Sequence, residues 1–354
     1  MARFSDVLTI INGKNQSKVE NPHGKYPIYG SGGIMGYADD YICEAQTVII
    51  GRKGNINKPI FVETPFWNVD TAFGLCAQKD ILHPKYLYYF CEHFDFEKLN
   101  TTVTIPSLTK ANLLDIEIDV PSMECQKGIV SRLDKIETII MLRKQQLSKL
   151  DELVKSRFIE MFIGQGYPTK TVDELSLVKG EYGAQSASIE YDPNRPRYVR
   201  ITDINDDGTL NSDFVSSINP TDDEQYRLEY GDFMFARMGA TVGKTYAFIE
   251  GNQIFAGYLI RYKLNQDLIN PRYLYWYTRL DEYWNWVKLN QSGAAQPGIN
   301  AKKYGSLQVP VPPMELQNQF SAFVEQTDKS KFEIQKSLEK LETLKKALMQ
   351  KYFG

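Results

Sequence analysis

The passage IPSLTKANLLDIEIDVPSMECQ, Ile105 to Gln126, returns as QPGINAKKYGSLQVPVPPMELQ, Gln296 to Gln317. A chain that repeats a passage this long must house it in two related units. Three further pairs follow the same order. HPKYLYYF (His83 to Phe90) matches NPRYLYWY (Asn270 to Tyr277), and IGRKGNINKPIFVE (Ile50 to Glu63) matches FARMGATVGKTYAFIE (Phe235 to Glu250), with a small insertion in the second copy. FSDVLTIINGK (Phe4 to Lys14) loosely matches VDELSLVKGE (Val172 to Glu181). The offset between copies widens along the chain, as short loop insertions produce. Two copies of roughly 120 to 150 residues make a pair of domains, not a solenoid.

Each copy runs into a long helical pattern. From Glu124 the apolar positions are Ile129, Leu133, Ile136, Ile140, Leu147, Leu150, Val154 and Met161, with Arg143 and Arg157 filling the two polar places in that 3-4 series. From Glu315 the stripe is Phe320, Phe323, Thr327, Ile334, Leu338, Leu341 and Leu348. Both are heptad patterns, and Pro121 and the Pro312–Pro313 pair precede them where a helix start tolerates proline. A helix of about 40 residues is roughly 60 Å long. Alone in water it would expose its stripe, whereas two in one chain can cover each other. The short linker Gly164 to Pro168 favours an antiparallel pair with a domain at either end of a rod. The competing expectation is that each helix folds back on its own domain. The predicted organisation is a domain at 1–123, a helix at 124–163, a second domain at 164–314 and a second helix at 315–354. Coiled-coil contacts are assigned to Leu133, Ile136, Ile140, Leu147, Leu150, Ile334, Leu338 and Leu341.

Within the domains the patterns are short. TVIIG, KPIFVE, YGDFMFAR and KTYAFIE read as strands, while HPKYLYYFCEHF and NPRYLYWYTRLDEYWNWV read as helices opened by proline. The fold class is therefore α+β: two duplicated mixed α/β domains with a long antiparallel two-helix coiled coil. Basic residues gather at matched places. Arg52, Lys53 and Lys58 surround the first glycine turn, and Lys110 follows IPSLT; Arg237 and Lys244 surround the second turn, and Lys302 and Lys303 follow QPGIN. A turn flanked by glycines can approach a phosphate backbone closely and offer amide donors. A solvated surface is the ordinary fate of a single lysine, but pairing across copies lifts Arg52, Arg237 and Lys244 above that background. Tyr29, Asn68, Asp70, Ser107, Tyr198 and Arg200 are further candidates to face a ligand. The loops at Ile105–Pro106–Ser107 and Gln296–Pro297–Gly298 read as tight tips suited to variable contacts.

Catalytic signatures are weak. GATVGKT, Gly239 to Thr245, has three residues between its glycines where a phosphate loop needs four. NPRY resembles an amino-methyltransferase tetrad, but no glycine-rich cofactor loop accompanies it in a suitable order, so it reads as a helix start. PTDDE, Pro220 to Glu224, offers carboxylates with no counterpart in the first copy. The three histidines and four cysteines show no metal-ligand spacing, no redox pair and no nucleophile partner. No metal or cofactor is assigned to this chain.

The formal net charge of -3 argues weakly against a general polyanion binder but not against a local basic surface. No signal-peptide pattern opens the chain and no apolar run is long enough to span a bilayer, so a cytoplasmic protein with no membrane partner is expected.

The GRKG-type turn, the P(K/R)YLY helix, the IPSLTKANLLDIEIDVP passage and then PxMExQ before a heptad helix resemble, in that order, the DNA-specificity subunit of type I restriction-modification enzymes. The resemblance covers essentially the whole chain and is most specific in DVPSMECQKGIVSRLDKIE and PVPPMELQNQFSAFVEQTD. It implies that each domain is a target recognition domain reading one half of an asymmetric bipartite sequence in double-stranded DNA, with the helices as spacer. It implies two methyltransferase subunits, which would methylate adenine with S-adenosylmethionine, and restriction subunits that use ATP and Mg. None of those activities would belong to this chain, a non-catalytic subunit. The resemblance implies DNA contacts from the glycine turns and the paired loops, with Lys110 and Lys302 near the DNA backbone or its loop supports. Together with the residue-based candidates, the proposed contacts are Arg52, Lys53, Lys58, Ser107, Lys110, Arg200, Arg237, Lys244, Lys302 and Lys303. Two other readings are compatible with the residues: a protein-interaction scaffold with two related heads, and a nucleotide-binding enzyme using GATVGKT.

Overall fold

The apolar runs that read as strands are strands in the computed structural model, which describes residues 1–99, 107–213, 215–218, 223–293 and 297–354. TVIIG forms Thr47–Gly51, buried along its whole length. Its neighbours are Ala72–Ala77 on one side and Ile60–Val62 on the other, and Leu8–Asn12 completes a four-stranded antiparallel sheet. A strand covered on both faces has no solvent side, which is why this run is apolar throughout rather than alternating. A second sheet joins Gly33–Ala38, Tyr26–Gly30 and Trp67–Asn68, the last pair parallel. Ala2–Arg3 pairs with Glu117–Ile118.

The same plan recurs further along. Ser176–Tyr182, Leu259–Leu264, Asp232–Ala236 and Thr245–Ala247 form a four-stranded antiparallel sheet in the equivalent order. Arg197–Val199 pairs in parallel with Gln253–Phe255, as Tyr26–Gly30 does with Trp67–Asn68. Thr169–Thr171 pairs with Gln308–Pro310, as Ala2–Arg3 does with Glu117–Ile118. The duplication read from four matched passages thus extends to strand order and pairing sense.

One expectation changes. NPRYLYWYTRLDEYWNWV is two helices, Pro271–Tyr277 and Asp281–Asn290. The break falls at Thr278 to Leu280, where the Arg279 guanidinium turns inward onto the carbonyls of Asp207, Thr245 and Tyr275. In the polar stretch after Tyr191, Arg197–Val199 and Ser216–Ile218 are strands of the second unit's smaller sheet.

The long helices run Met123–Phe162 and Met314–Phe353. Chain contacts divide the protein into Met1–Gln146 with Ile334–Gly354, and Leu147–Glu333. In the first unit the helices pair antiparallel: Arg132 donates to the Tyr352 hydroxyl at 3.1 Å, and Lys144 meets Glu342 at 3.2 Å. Lys345, within the second stripe, bridges Glu92 and Glu137 at 2.7 Å each. Both helices also enter this unit's core, with Ile129, Leu133 and Met349 buried and Phe353 against Tyr86. In the second unit the pairing is again antiparallel. Asp151 binds Lys331, and Phe158 lies against Phe320, with ring centroids 5.2 Å apart. Here the buried positions of the first helix are Val154, Phe158 and Phe162, whereas Arg157 is exposed and Met161 only partly covered. The 3-4 spacing therefore gives way to 4-4, because this end packs on a domain core as well as on a partner helix.

The PxMExQ passages have a common physical role. Gln126 is fully buried; its Oε1 accepts from the His83 amide at 2.8 Å and its Nε2 donates to the carbonyls of Ile81 and Pro121. Gln317, also fully buried, accepts from the Asn270 amide at 2.8 Å and donates to the carbonyls of Leu268 and Pro312. One amide side chain thus ties the start of each long helix to the start of the proline-opened helix beside it.

Candidate nucleic-acid interface

In both units the turn after the central strand is zipped to the loop before a short helix. The Leu108 amide donates to the Arg52 carbonyl at 3.0 Å, and the Ile299 amide to the Arg237 carbonyl at 2.9 Å. Isolated bridges Lys53–Ser107 and Met238–Gly298 extend the contact. From the other side, the arginine amides donate to Thr71 in the first unit and Tyr258 in the second. Thr109 and Asn300 cap the short helices Lys110–Leu114 and Ala301–Gly305 by accepting from the third residue on. These caps fix the alignment: Lys110 corresponds to Ala301, so Lys302 and Lys303 have no strict equivalents. Ile105, Pro106 and Gln296, read as loop tips, lie outside the described residues.

Arg237 is held in a defined pose. Its guanidinium lies over Tyr182 at 4.8 Å and Tyr258 at 5.6 Å, and its Nε is buried without a hydrogen-bond partner among the described residues. Tyr182 in turn accepts from the Ala301 amide at 3.3 Å. A guanidinium between two rings keeps its charge while losing rotamer freedom, and each such contact is worth about 0.5–1 kcal/mol at an exposed site. Tyr182 and Tyr258 were not singled out from sequence; the abundance of tyrosine was the available signal. Arg52, the counterpart, is exposed and lies 5.8 Å from the Phe73 ring. Lys53 and Lys58 beside it are exposed as well.

Several amides of the second turn, expected to be open donors, are engaged within the protein. Gly239 donates to Pro297, Val242 to Gly239, Gly243 to Ala236 and Lys244 to Thr241. Two buried tyrosines fix the turn from beneath: Tyr283 donates to the Gly243 carbonyl at 2.6 Å and Tyr304 to the Ala236 carbonyl at 2.8 Å. Burial holds both phenols well above their ordinary pKa, so they stay protonated donors. Gly243 has φ +90, and a Cβ there would come within 2.8 Å of Val287. With these four amides committed, the turn's most prominent open feature is Arg237.

Several candidate cations are engaged inside the protein. Lys244 pairs with Asp206 at 2.8 Å and donates to the Ile204 carbonyl, and this bond holds the Asp206 carboxyl below its usual pKa. Lys110 donates to the Ile10 carbonyl, Lys303 to the Asn290 carbonyl, and Arg200 pairs with Asp203 at 2.8 Å. Lys302 is exposed; Ser107 is half-buried within the zipped contact. Tyr198 and Asn68 are buried and do not face solvent, Tyr29 packs on Phe66, and Asp70 is exposed.

GATVGKT forms a short 3-10 turn, Gly239–Thr241, with its amides and lysine spent as above, so it is not a phosphate loop. NPRY opens a helix: Asn270 caps it by accepting from Arg272. Most of PTDDE lies outside the described residues. Among the described residues no cluster of His, Cys, Asp and Glu is placed to hold a metal. No described helix is long and apolar enough to cross a membrane.

A family model described as the type I restriction modification DNA specificity domain matches residues 1–152 and 169–346. The type I restriction enzyme StySPI specificity subunit of Salmonella potsdam is 21% identical over 334 residues, 86% of this chain and 72% of that protein. The type I restriction enzyme EcoDI specificity subunit of Escherichia coli is 18% identical over 395 residues, covering 99% of this chain and 86% of that one. Among solved structures, the S subunit of a type I restriction-modification system from M. genitalium matches with a TM-score of 0.65 at 16% identity, over 99% of this chain and 95% of that one. The last likeness is one of fold.

Proposed function

This chain belongs to the type I restriction modification DNA specificity domain family, and from that premise we propose that it reads an asymmetric bipartite DNA sequence, one half-site per unit. In this reading it directs adenine-N6 methyltransferase subunits, two per chain, and restriction subunits to that sequence. S-adenosylmethionine would be bound by the former, and ATP with Mg by the latter. Sequence-specific DNA recognition is the property of the family; the half-site assignment is the finer step. It is carried by one observation: both units present an arginine at the same strand end, locked by the same backbone bonds to the same loop. Phosphate contacts position such a unit and groove contacts specify the bases; an arginine forks well onto a guanine edge or a phosphate.

The chain's own part is to bind and hold. Methylation requires the adenine to leave the stack and enter the methyltransferase subunit, so binding must tolerate a distorted duplex. With net charge -3 the isolated chain is expected to bind DNA weakly and with strong salt dependence, and methyltransferase subunits to tighten it. The test is selection from random duplexes by the complex of full chain and methyltransferase subunits. A bipartite motif is expected. Arg237→Ala should flatten base preference in one half only. No motif from the wild-type complex would favour the scaffold reading and end this one.

A further inference from the structure

We infer that the hairpin of the first unit, Tyr26–Gly30 with Gly33–Ala38, carries an apolar probe that enters the DNA groove at that unit's half-site, with Ile34 and Met35 as its contacting residues. The inference rests on the DNA-reading function and deepens it. Ile34 is 57% exposed and Met35 63% exposed, side by side just after a two-residue turn. They form a small open apolar patch at the end of a hydrogen-bonded hairpin.

The turn is built to be narrow. Gly30 and Gly33 face each other in register, and Gly33 takes φ +118, a conformation that other residues rarely adopt. Met35 folds across Gly30: a Cβ there would come within 2.6 Å of the methionine sulfur. The tip therefore has almost no side-chain bulk other than Ser31, Ile34 and Met35.

Its neighbourhood names the occupant. Ser31 abuts the strand end that leads into the basic turn; a Cβ on Gly51 would lie 3.0 Å from the Ser31 Cβ. Arg52 and Lys53 follow directly, both exposed. Apolar side chains beside exposed cations are matched by a duplex, which offers phosphates at the groove rim and apolar surface within. That surface is the thymine methyl in the major groove or the faces of an opened base step in the minor groove. A purely apolar protein partner would gain nothing from the two charges.

The second unit handles the equivalent strand end differently. Its arginine is packed between Tyr182 and Tyr258. The two half-sites would then be read by different chemistry on one framework: an apolar tip in the first, an aromatic-held guanidinium in the second.

The experiment is selection from random duplexes with the reconstituted complex of full chain and methyltransferase subunits, comparing wild type, Ile34→Ser/Met35→Ser and Arg237→Ala. The double serine variant should lose about tenfold of its base preference at one or more positions in one half-site. That is about 1.4 kcal/mol. The other half-site, the one Arg237→Ala degrades, should be unaffected. Ile34→Val/Met35→Leu should restore the preference, which an altered fold would not do. If the double variant does not fold, the two single serine variants are read the same way. Wild-type preference in both half-sites of the double variant would overturn the inference while leaving the family reading intact. Weakened assembly with the methyltransferase, with both half-sites still preferred, would assign the tip to a protein partner and overturn it too. A wild-type complex with no bipartite preference is the separate failure of the underlying reading.

Discussion

Replacing Gln126 by leucine tests the physical meaning of the PxMExQ passage. Leucine has a similar volume, so the change removes hydrogen bonds without opening a large cavity. Three bonds are lost: one from the His83 amide and two to the carbonyls of Ile81 and Pro121. Each is worth about 0.5–1.5 kcal/mol net, and a buried donor left without an acceptor costs about 1–3 kcal/mol. Ile81 is exposed, so its carbonyl can recruit water. The expected loss is about 2–4 kcal/mol, near the upper range for a single substitution. Gln317→Leu removes the equivalent three bonds and should cost the same within about 1 kcal/mol. Two cores need not unfold together, so a single denaturation midpoint is the wrong readout. Native-state hydrogen exchange resolves the units: Gln126→Leu should speed the slow amides of Thr47–Gly51, and Gln317→Leu those of Asp232–Ala236. If both changes move stability by less than about 0.5 kcal/mol, the level of an ordinary surface substitution, the glutamine is not the tie argued here.

Phe158→Ala removes a ring packed against Phe162, Tyr273 and Phe320 and should cost about 3–5 kcal/mol, read as lost exchange protection in the second unit. Lys345→Met should cost about 1 kcal/mol, because the charges are partly open to solvent. Burial pulls the Lys345 pKa down, but bonds to Glu137 and Glu92 outweigh it and leave it raised. Its contribution should therefore be constant up to the ordinary lysine value of 10.5 and vanish at higher pH, closing the gap between variant and wild type in pH-dependent urea unfolding. Iodoacetamide at neutral pH should modify exposed Cys125 well before Cys43, whose thiol burial pushes up to about 12, as peptide mass spectrometry would show. Inserting one heptad into each long helix should lengthen the unspecified gap in the target by about 3 base pairs, since seven residues add about 10 Å; an unchanged gap in methylome sequencing would refute a spacer role.

Much of the fold was legible because its signals are local. Runs of β-branched and aromatic residues gave the strands, proline marked helix starts, and the internal repeat gave the unit count. The pieces that escaped depend on distant partners. Thr278 to Leu280 contains neither proline nor glycine, so the break between two helices was invisible until Arg279 met the Asp207 carbonyl. The shift from Met161 to Phe162 as a buried position reflects packing on Tyr273, more than a hundred positions away in sequence. Basic residues were legible as types but not as states. Lys244 read as a candidate DNA contact, yet it pairs with Asp206, which lies in a segment that the first copy lacks. Tyr182 and Tyr258 were missed because one ends the strand Ser176–Tyr182 and the other lies in the turn before Leu259–Leu264, about 75 positions apart in sequence, and only the fold sets both rings against Arg237.

On the proposed reading, the comparison of the two copies shows how one architecture could serve unlike half-sites. The bonds that zip the turn to its loop are main chain to main chain, Leu108 to Arg52 and Ile299 to Arg237. Such bonds need no particular side chain, so residues at the tip can change without loss of the frame. Buried side-chain anchors recur in both copies: Gln126 and Gln317 at the helix starts, and Tyr86 and Tyr273, which donate to the Asp119 and Pro310 carbonyls. Where the copies face solvent they differ freely, with Ile34 and Met35 in one and an arginine between tyrosines in the other. On the proposed reading, the frame would rest on main-chain bonds and buried anchors, and discrimination on the side chains that differ between the copies. A duplicated reader built this way can change one half of its target without disturbing the other.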